Sequence, residues 1–243
     1  MGASVDGRNE DKGAKSTSRR VSAATRRAAD AVRVAVVGSV TEQLEPRTQE
    51  PQRPAGRHPD DFYATPRWVT VAMLDAIDFP RGFNIVEPSC GDGAILDVLR
   101  ERYDARALRG IELDAARGQE ARRRIGCTIT LGDYLAWAPR PGAEPSWIVG
   151  NPPFSLAQRF VEHSLSIVDD GCRITFLLRL AFLSSQSRRH LFDDDAGFAQ
   201  LLVLPRRPSF TPDGGTDRYD YGWFSWVKGS TSSATIEHLE VSR

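Results

Sequence analysis

Cysteine is scarce in this sequence: three residues in 243, at Cys90, Cys127 and Cys172, far apart and never in a Cys-x-x-Cys pair. That spacing excludes a disulfide scaffold, and with no histidine at ligand spacing it excludes a structural zinc site, so no metal is expected and a reducing compartment is. No apolar run approaches the roughly 20 residues that span a bilayer, and no charged start leads into an apolar core and cleavage site. The expectation is a soluble, cytoplasmic or otherwise intracellular protein with no membrane contact. Gly-x-Gly-x-x-Gly and Gly-Lys-Ser/Thr are both missing, which removes the usual dinucleotide and triphosphate cradles.

A net charge is missing too, since 32 Lys and Arg balance 32 Asp and Glu. The balance is uneven: residues 1 to 59 hold 11 basic against 7 acidic side chains, leaving 21 against 25 for the rest. Attraction to a polyanion would have to come from the basic leading segment or from local clusters such as Arg122-Arg123-Arg124, Arg188-Arg189-His190 and Arg206-Arg207. Each cluster reads equally as a solvated face.

Aromatic residues are absent before Phe62, and the stretch to Pro59 is rich in Arg, Ser, Ala, Gly, Pro and Gln, a composition that buries too little surface to order itself. Residues 1–59 are therefore expected to be a disordered or partly helical basic extension, with helical spacing only from Val21 to Val37. Residues 60–243 are expected to form one domain. There the signals alternate: a helix opened by Thr65 as N-cap and Pro66 at its first position, a strand over Phe83–Val86, a helix from Ala94 to about Tyr103, and a strand over Arg106–Leu113. A helix near Ala115–Arg124, strands at Cys127–Leu131 and Trp147, a helix over Ser155–Val168 and strands at Arg173–Leu180, Ala199–Leu204 and Tyr221–Lys228 complete the series. Such alternation predicts an α/β fold, a mostly parallel sheet of about seven strands with helices on both faces. Trp223 and Trp226 are expected in its core.

Ligands in such sheets bind beyond the carboxyl ends of the strands. Four successive strand tips carry Glu87, Glu112, Asp133 and Asn151, and one ligand could touch all four. The Pro88-Ser89-Cys90-Gly91-Asp92-Gly93 turn has glycines that permit close backbone approach. Glu112, closing the second strand, suits ribose hydroxyls or is simply an exposed carboxylate beside Asp114. The strand Trp147-Ile148-Val149-Gly150 ends in Asn151-Pro152-Pro153-Phe154, where two prolines forbid continued pairing. That tip is either an ordinary turn or an acceptor platform: the Asn151 side-chain oxygen and Pro152 carbonyl can grip an amino group, and Phe154 offers a face for a planar ring.

In the order Phe62-Tyr63-Ala64-Thr65-Pro66, Val86-Glu87-Pro88-Ser89-Cys90-Gly91-Asp92-Gly93-Ala94, Gly110-Ile111-Glu112-Leu113-Asp114, Gly132-Asp133-Tyr134 and Asn151-Pro152-Pro153-Phe154, the chain resembles the S-adenosylmethionine-dependent DNA adenine-N6 methyltransferases. The resemblance covers about residues 60 to 230 and implies a Rossmann-like class I methyltransferase fold with S-adenosyl-L-methionine as cofactor. By that resemblance Tyr63, Thr65, Glu87 and the turn Ser89, Gly91, Asp92 and Gly93 hold the methionine part. Glu112 takes the ribose, Leu113 packs on the cofactor adenine, Asp133 accepts from its amino group and Tyr134 lies beside the ring. Asn151 and Pro152 accept from the target amine, with Pro153 shaping the tip, and Phe154 stacks on the target ring.

Phe210, near the start of the loop 206–220, is a candidate for the second stacking face or else a core aromatic anchoring that loop. Only 92 residues follow Asn151, nearly all needed for the sheet, so no separate target-recognition region is evident. Recognition would fall to the Phe210 loop, the basic clusters, the leading segment, or a partner chain or second copy, as in a compact enzyme of phage or prophage type. DNA is the favoured partner. RNA adenine-N6, a protein glutamine amide, or a non-catalytic partner role are the alternatives.

Overall fold

Every central strand of the sheet is a short run of residues that cannot profitably face water. In the computed structural model, which describes residues 62–77, 84–193, 195–210 and 215–240, β1 (Ile85–Pro88), β4 (Trp147–Gly150) and the middle of β5 (Arg173–Arg179) are buried throughout. Burial on both faces is what a parallel strand covered by helices on either side requires. With β2 (Leu108–Glu112), β3 (Thr128–Leu131), β6 (Phe198–Val203), β7 (Tyr221–Val227) and β8 (Thr235–His238), they form one sheet of order β3-β2-β1-β4-β5-β7-β6-β8. All neighbours pair parallel except β7, which runs antiparallel to β5 and β6.

Helices cover both faces, as expected. On one side α1 (Arg67–Ala76), α2 (Ala94–Leu99) and α3 (Ala115–Ile125) pack through Val69, Met73, Leu96, Leu99, Ala121 and Ile125 against Trp147, Val149, Leu177 and Trp223. On the other, α4 (Ala157–Ile167) packs Phe160 and Val161 against Ile148, Ile174, Phe176 and Trp226. Trp223 and Trp226, three apart on one strand, therefore serve opposite faces; both are fully buried, and their indole N–H groups donate to the Val69 and Leu191 carbonyls at 3.1 and 2.8 Å.

The expected sheet of about seven strands has eight among the described residues, the eighth being Thr235–His238, an exposed parallel edge beside β6 that lacks an alternating apolar pattern. Two local expectations need correcting. Thr65 does not cap α1: Pro66 holds that position with no side-chain cap, and the Thr65 hydroxyl is bound elsewhere. Helix α2 stops at Leu99, short of Tyr103. The leading extension 1–59, Phe83 and residues 211–214 lie outside the described residues.

The basic clusters are largely spent within the fold. Arg122 donates to the Ile129 carbonyl, Arg123 pairs with Glu120 and Arg124 with Asp92, while all three complement the carboxyl end of α3. Arg188 donates to the Phe182 carbonyl, Arg189 pairs with Asp193, and Arg207 binds Asp220 at 2.8 Å.

Candidate active site

The sheet order reverses between β1 and β4, and the crevice at such a point, beyond the carboxyl ends of the strands, is where this architecture leaves room for a ligand. The turn after β1 enters it with Ser89, Gly91 and Gly93 all in the left-handed region, at φ 53°, 57° and 86°. Two features hold that conformation. The Cys90 N–H donates to the Ile111 carbonyl of β2 at 2.9 Å, and Glu112 closes both neighbouring turns by accepting from the Gly91 N–H at 2.7 Å and the Asp114 N–H at 2.9 Å. Arg117 stands beside that carboxylate, its Nε 3.6 Å from Oε1, with its guanidinium 4.6 Å from the centre of the Phe62 ring.

The two glycines of the turn also serve packing within the protein. A Cβ at Gly91 would stand 2.3 Å from the Phe62 ring, and one at Gly93 would meet Ile125 of α3 at 2.9 Å. Gly91 thus seats the lead-in segment on the turn, and Gly93 lets α2 start tight against α3.

Two connected cavities share Ser89, Glu112, Arg117 and Pro153. The smaller is lined by Tyr63, Thr65, Glu87, Asp92 and Asn151. Three buried oxygens there have no hydrogen-bond partner among the described residues: Oε2 of Glu87, Oδ1 of Asp92 and Oδ1 of Asn151. Unpaired buried acceptors are costly, and a donor-rich or cationic ligand would relieve them. Burial pushes the Glu87 carboxyl well above the usual carboxylate range, with Asp92 and Glu112 adding to the effect. The larger cavity, about 410 Å³, is lined by Ile111, Leu113, Asp133, Tyr134, Leu156 and Phe160. That volume lies within the range of small-molecule sites, roughly 300–1,000 Å³. Leu113 is 73% exposed at its rim, Asp133 accepts from the Leu135 N–H at 2.9 Å, and the buried Tyr134 hydroxyl shares a 2.7 Å hydrogen bond with Ser164.

At the tip of β4 the Asn151 amide nitrogen donates to the Tyr63 carbonyl at 3.2 Å and to the Thr65 hydroxyl at 3.1 Å. Both amide hydrogens are thereby used and Oδ1 is left as a bare acceptor. Pro152 is buried behind the tip, and the Pro153 carbonyl accepts the Leu156 N–H at 2.9 Å, turning the chain toward α4. Phe154 then enters a cluster with Tyr63 (centroids 5.9 Å apart, 26° between planes), Tyr221 (5.3 Å) and Phe210 (6.1 Å, 65°). An isolated bridge between Ser209 and Thr216 holds the loop that delivers Phe210. Phe210 meets Phe154 edge-on, so a planar ring has no parallel slot between them until one ring moves.

Of the residues singled out from sequence, Tyr63, Thr65, Glu87, Ser89, Asp92, Glu112 and Asn151 converge on the smaller cavity, and Leu113, Asp133 and Tyr134 on the larger. Phe154 and Phe210 meet in the aromatic cluster, while Gly91, Gly93 and Pro152 line neither cavity. Sequence reasoning missed Phe62 as a side chain of the site, and it missed Arg117 and Arg179; an arginine in the first turn of the helix after an acidic strand tip was the one available signal, for Arg117.

The fold is that of the class I methyltransferases. A class I S-adenosylmethionine-dependent methyltransferase, so assigned, from Listeria monocytogenes superposes with a TM-score of 0.54 at 15% identity, covering 72% of this chain and 65% of that one. S-adenosyl-L-methionine is the cofactor expected of a chain with this fold. Two viral relatives are similar in sequence. The modification methylase CviBIII of Paramecium bursaria Chlorella virus NC1A is 36% identical over 76 residues, 30% of this chain and 19% of its own length. The type II methyltransferase M.CvrRI of Paramecium bursaria Chlorella virus XZ-6E is 26% identical over 143 residues, 59% of this chain and 35% of its own. This chain thus spans about a third or less of the length of these relatives. No family model matches it. Among the described residues no helix is long and apolar enough to cross a membrane, and no group of three or more His, Cys, Asp or Glu could hold a metal ion.

Proposed function

We propose that this chain is an S-adenosylmethionine-dependent DNA methyltransferase that acts on an exocyclic amine, N6 of adenine, with its catalytic domain in residues 60–243. The observation that carries the reading is Asn151: it lines the smaller cavity, and both its amide hydrogens are held by the lead-in segment, which leaves its oxygen a buried acceptor with no donor among the described residues. The names of the viral relatives, a modification methylase and a type II methyltransferase, support DNA as the acceptor.

The residues present fit the cofactor. Unpaired acceptors on Glu87 and Asp92 suit its cationic methionine part, Glu112 its ribose, and the cavity of Leu113, Asp133 and Tyr134 its adenine. When bound, it supplies an electrophilic methyl on a sulfonium, a good leaving group. The protein's own part is alignment and electrostatics. The lone pair of an aromatic exocyclic nitrogen is delocalised into its ring; Asn151 Oδ1 and the Pro152 carbonyl, accepting its two hydrogens, favour the tetrahedral geometry that frees that pair. No strong base is required, because the nitrogen becomes strongly acidic as the N–C bond forms and the S–C bond breaks, and its surplus proton passes to water. A duplex adenine must leave the stack to reach this tip, at a cost of a few kcal/mol, and Phe154 with Phe210 would hold it. Recognition of the surrounding sequence falls to the Phe210 loop, the leading segment, or a partner chain or second copy.

The test is to incubate the protein with tritiated S-adenosylmethionine and unmethylated duplex DNA, single-stranded RNA or a protein extract, with Asn151→Ala alongside. Label recovered as N6-methyladenine in DNA and lost in the variant is the expected result. Label in RNA or protein replaces the acceptor, and cofactor binding with no label anywhere indicates a partner-dependent or silent subunit.

A further inference from the structure

Arg179 ends β5 beside the aromatic cluster, half-buried, with its guanidinium 4.6 Å from the centre of the Phe154 ring and 4.0 Å from that of Tyr219. Its Nε makes one long hydrogen bond, 3.4 Å, to the Tyr221 hydroxyl. The Asp217 carboxylate in this network is already committed: its Oδ2 accepts from the Tyr221 hydroxyl at 2.6 Å, and its Oδ1 accepts the N–H groups of Arg218 at 2.6 Å and Tyr219 at 3.3 Å. No acidic side chain among the described residues forms an ion pair with Arg179, and its four terminal N–H groups have no acceptor among them. Neighbouring arginines differ: Arg207 has Asp220 and Arg188 has the Phe182 carbonyl. A partly desolvated guanidinium, set over two aromatic rings and without an anion among the described residues, is arranged to take one from outside.

We propose that Arg179 is a phosphate-binding residue that holds a phosphodiester of the substrate strand next to the base presented to Asn151 and Phe154. This rests on the proposed function, since a nucleotide whose base reaches that tip brings a phosphate with it, whereas a protein amide brings none. The planar fork matches two phosphate oxygens, and the contacts of its Cζ with the Phe154 and Tyr219 rings mean that less side-chain freedom is lost on binding. Arg179 thereby selects polynucleotide over polypeptide at a site whose amine grip alone would accept either.

Binding of a fluorescent randomised duplex and a randomised single strand is measured by anisotropy across a salt series, for wild type, Arg179→Gln and Arg179→Lys, with thermal melting to confirm folding. Arg179→Gln should weaken binding about tenfold to a hundredfold. It should also flatten the plot of log affinity against log salt by one phosphate, about 0.9 for duplex and 0.7 for single strand. Arg179→Lys should keep the slope and recover part of the affinity. A folded glutamine variant with an unchanged slope overturns the proposal and leaves Arg179 as a packing residue, as does a wild type that binds neither nucleic acid. Should the glutamine variant not fold, wild type decides alone: an adenine trinucleotide with neutral methylphosphonate linkages must compete at least about tenfold less well than its phosphodiester form. Methyl transfer is read separately, so a wild type that binds with the expected slope yet labels no nucleic acid refutes the functional reading and not the phosphate site.

Discussion

The two halves of the crevice are built on different principles. On the β1-β2-β3 side the backbone is fixed first and the cavity is what remains: Glu112 ties the Gly91 and Asp114 amides, Cys90 ties the turn to β2, and the space is already open, about 410 Å³ beside Leu113 and Asp133. On the β4-β5-β7 side the space is filled by the protein's own aromatic rings, with Tyr63, Phe210 and Tyr221 crowding Phe154. On the proposed function, one half is set for the cofactor, and the other must rearrange to admit a base. Such a division suits an enzyme that uses the same cofactor every turnover but must draw a base out of a polymer, because filling the acceptor slot with protein keeps its apolar walls dry until a ring replaces a ring.

The sharpest way to break this contrast is at Asn151. Asn151→Ala should lower the rate of methyl transfer by about 10²- to 10³-fold, the scale for losing one preorganised polar group, while cofactor binding by calorimetry stays within a few-fold of wild type. Equal losses in both would mean the halves are not separable. Glu112→Gln attacks the other half: the amide sets an N–H against the Gly91 or Asp114 N–H, which should cost about 1–3 kcal/mol of stability by denaturant titration and weaken cofactor binding. Phe210→Ala should leave cofactor affinity unchanged and remove about 1–3 kcal/mol of substrate binding if Phe210 stacks on the base; a variant that only melts earlier makes it a core anchor.

The smallest expected effect is a pH dependence confined to the cofactor half. Glu87 is buried and its carboxyl is held well above the usual range, so the ligand-free protein retains a proton that the unfolded chain releases near about 4.3. The contribution to stability is therefore full in acid and declines as pH rises from there through the raised folded value. Glu87→Gln, which cannot ionise, should lack that decline, and subtracting its stability–pH curve from that of wild type isolates it. A difference that is flat, or that rises with pH, would show Glu87 charged in the empty site.

How far the sequence could be read follows the range of the interactions. Strand and helix periods are local, and the central strands, the helices and the polar strand tips fall close to where those periods put them, with ends shifted by a few residues, as at α2. The edge strand Thr235–His238 went unseen because all four residues are exposed and so carry no alternation. Thr65 was misread because a threonine before a proline and an apolar helix is a local capping signal, whereas its actual partner is Asn151, 86 residues on. Arg117 and Arg179 were hidden for a related reason: arginine is ordinary at a helix start or a strand end, and only the folded chain sets one beside Glu112 and the other over Phe154.

The pairing of Asn151 with Tyr63 and Thr65 also bears on how the protein is made. The segment that holds the Asn151 amide leaves the ribosome first and its partner 88 residues later, and helix α1 waits longer still, since the Val69 carbonyl accepts from the Trp223 indole 154 residues downstream. The turn tied by Glu112 needs only β1, β2 and the start of α3, so it can form while the chain is still being synthesised. The ring cluster around Phe154 is completed only when Tyr221 of β7 is in place.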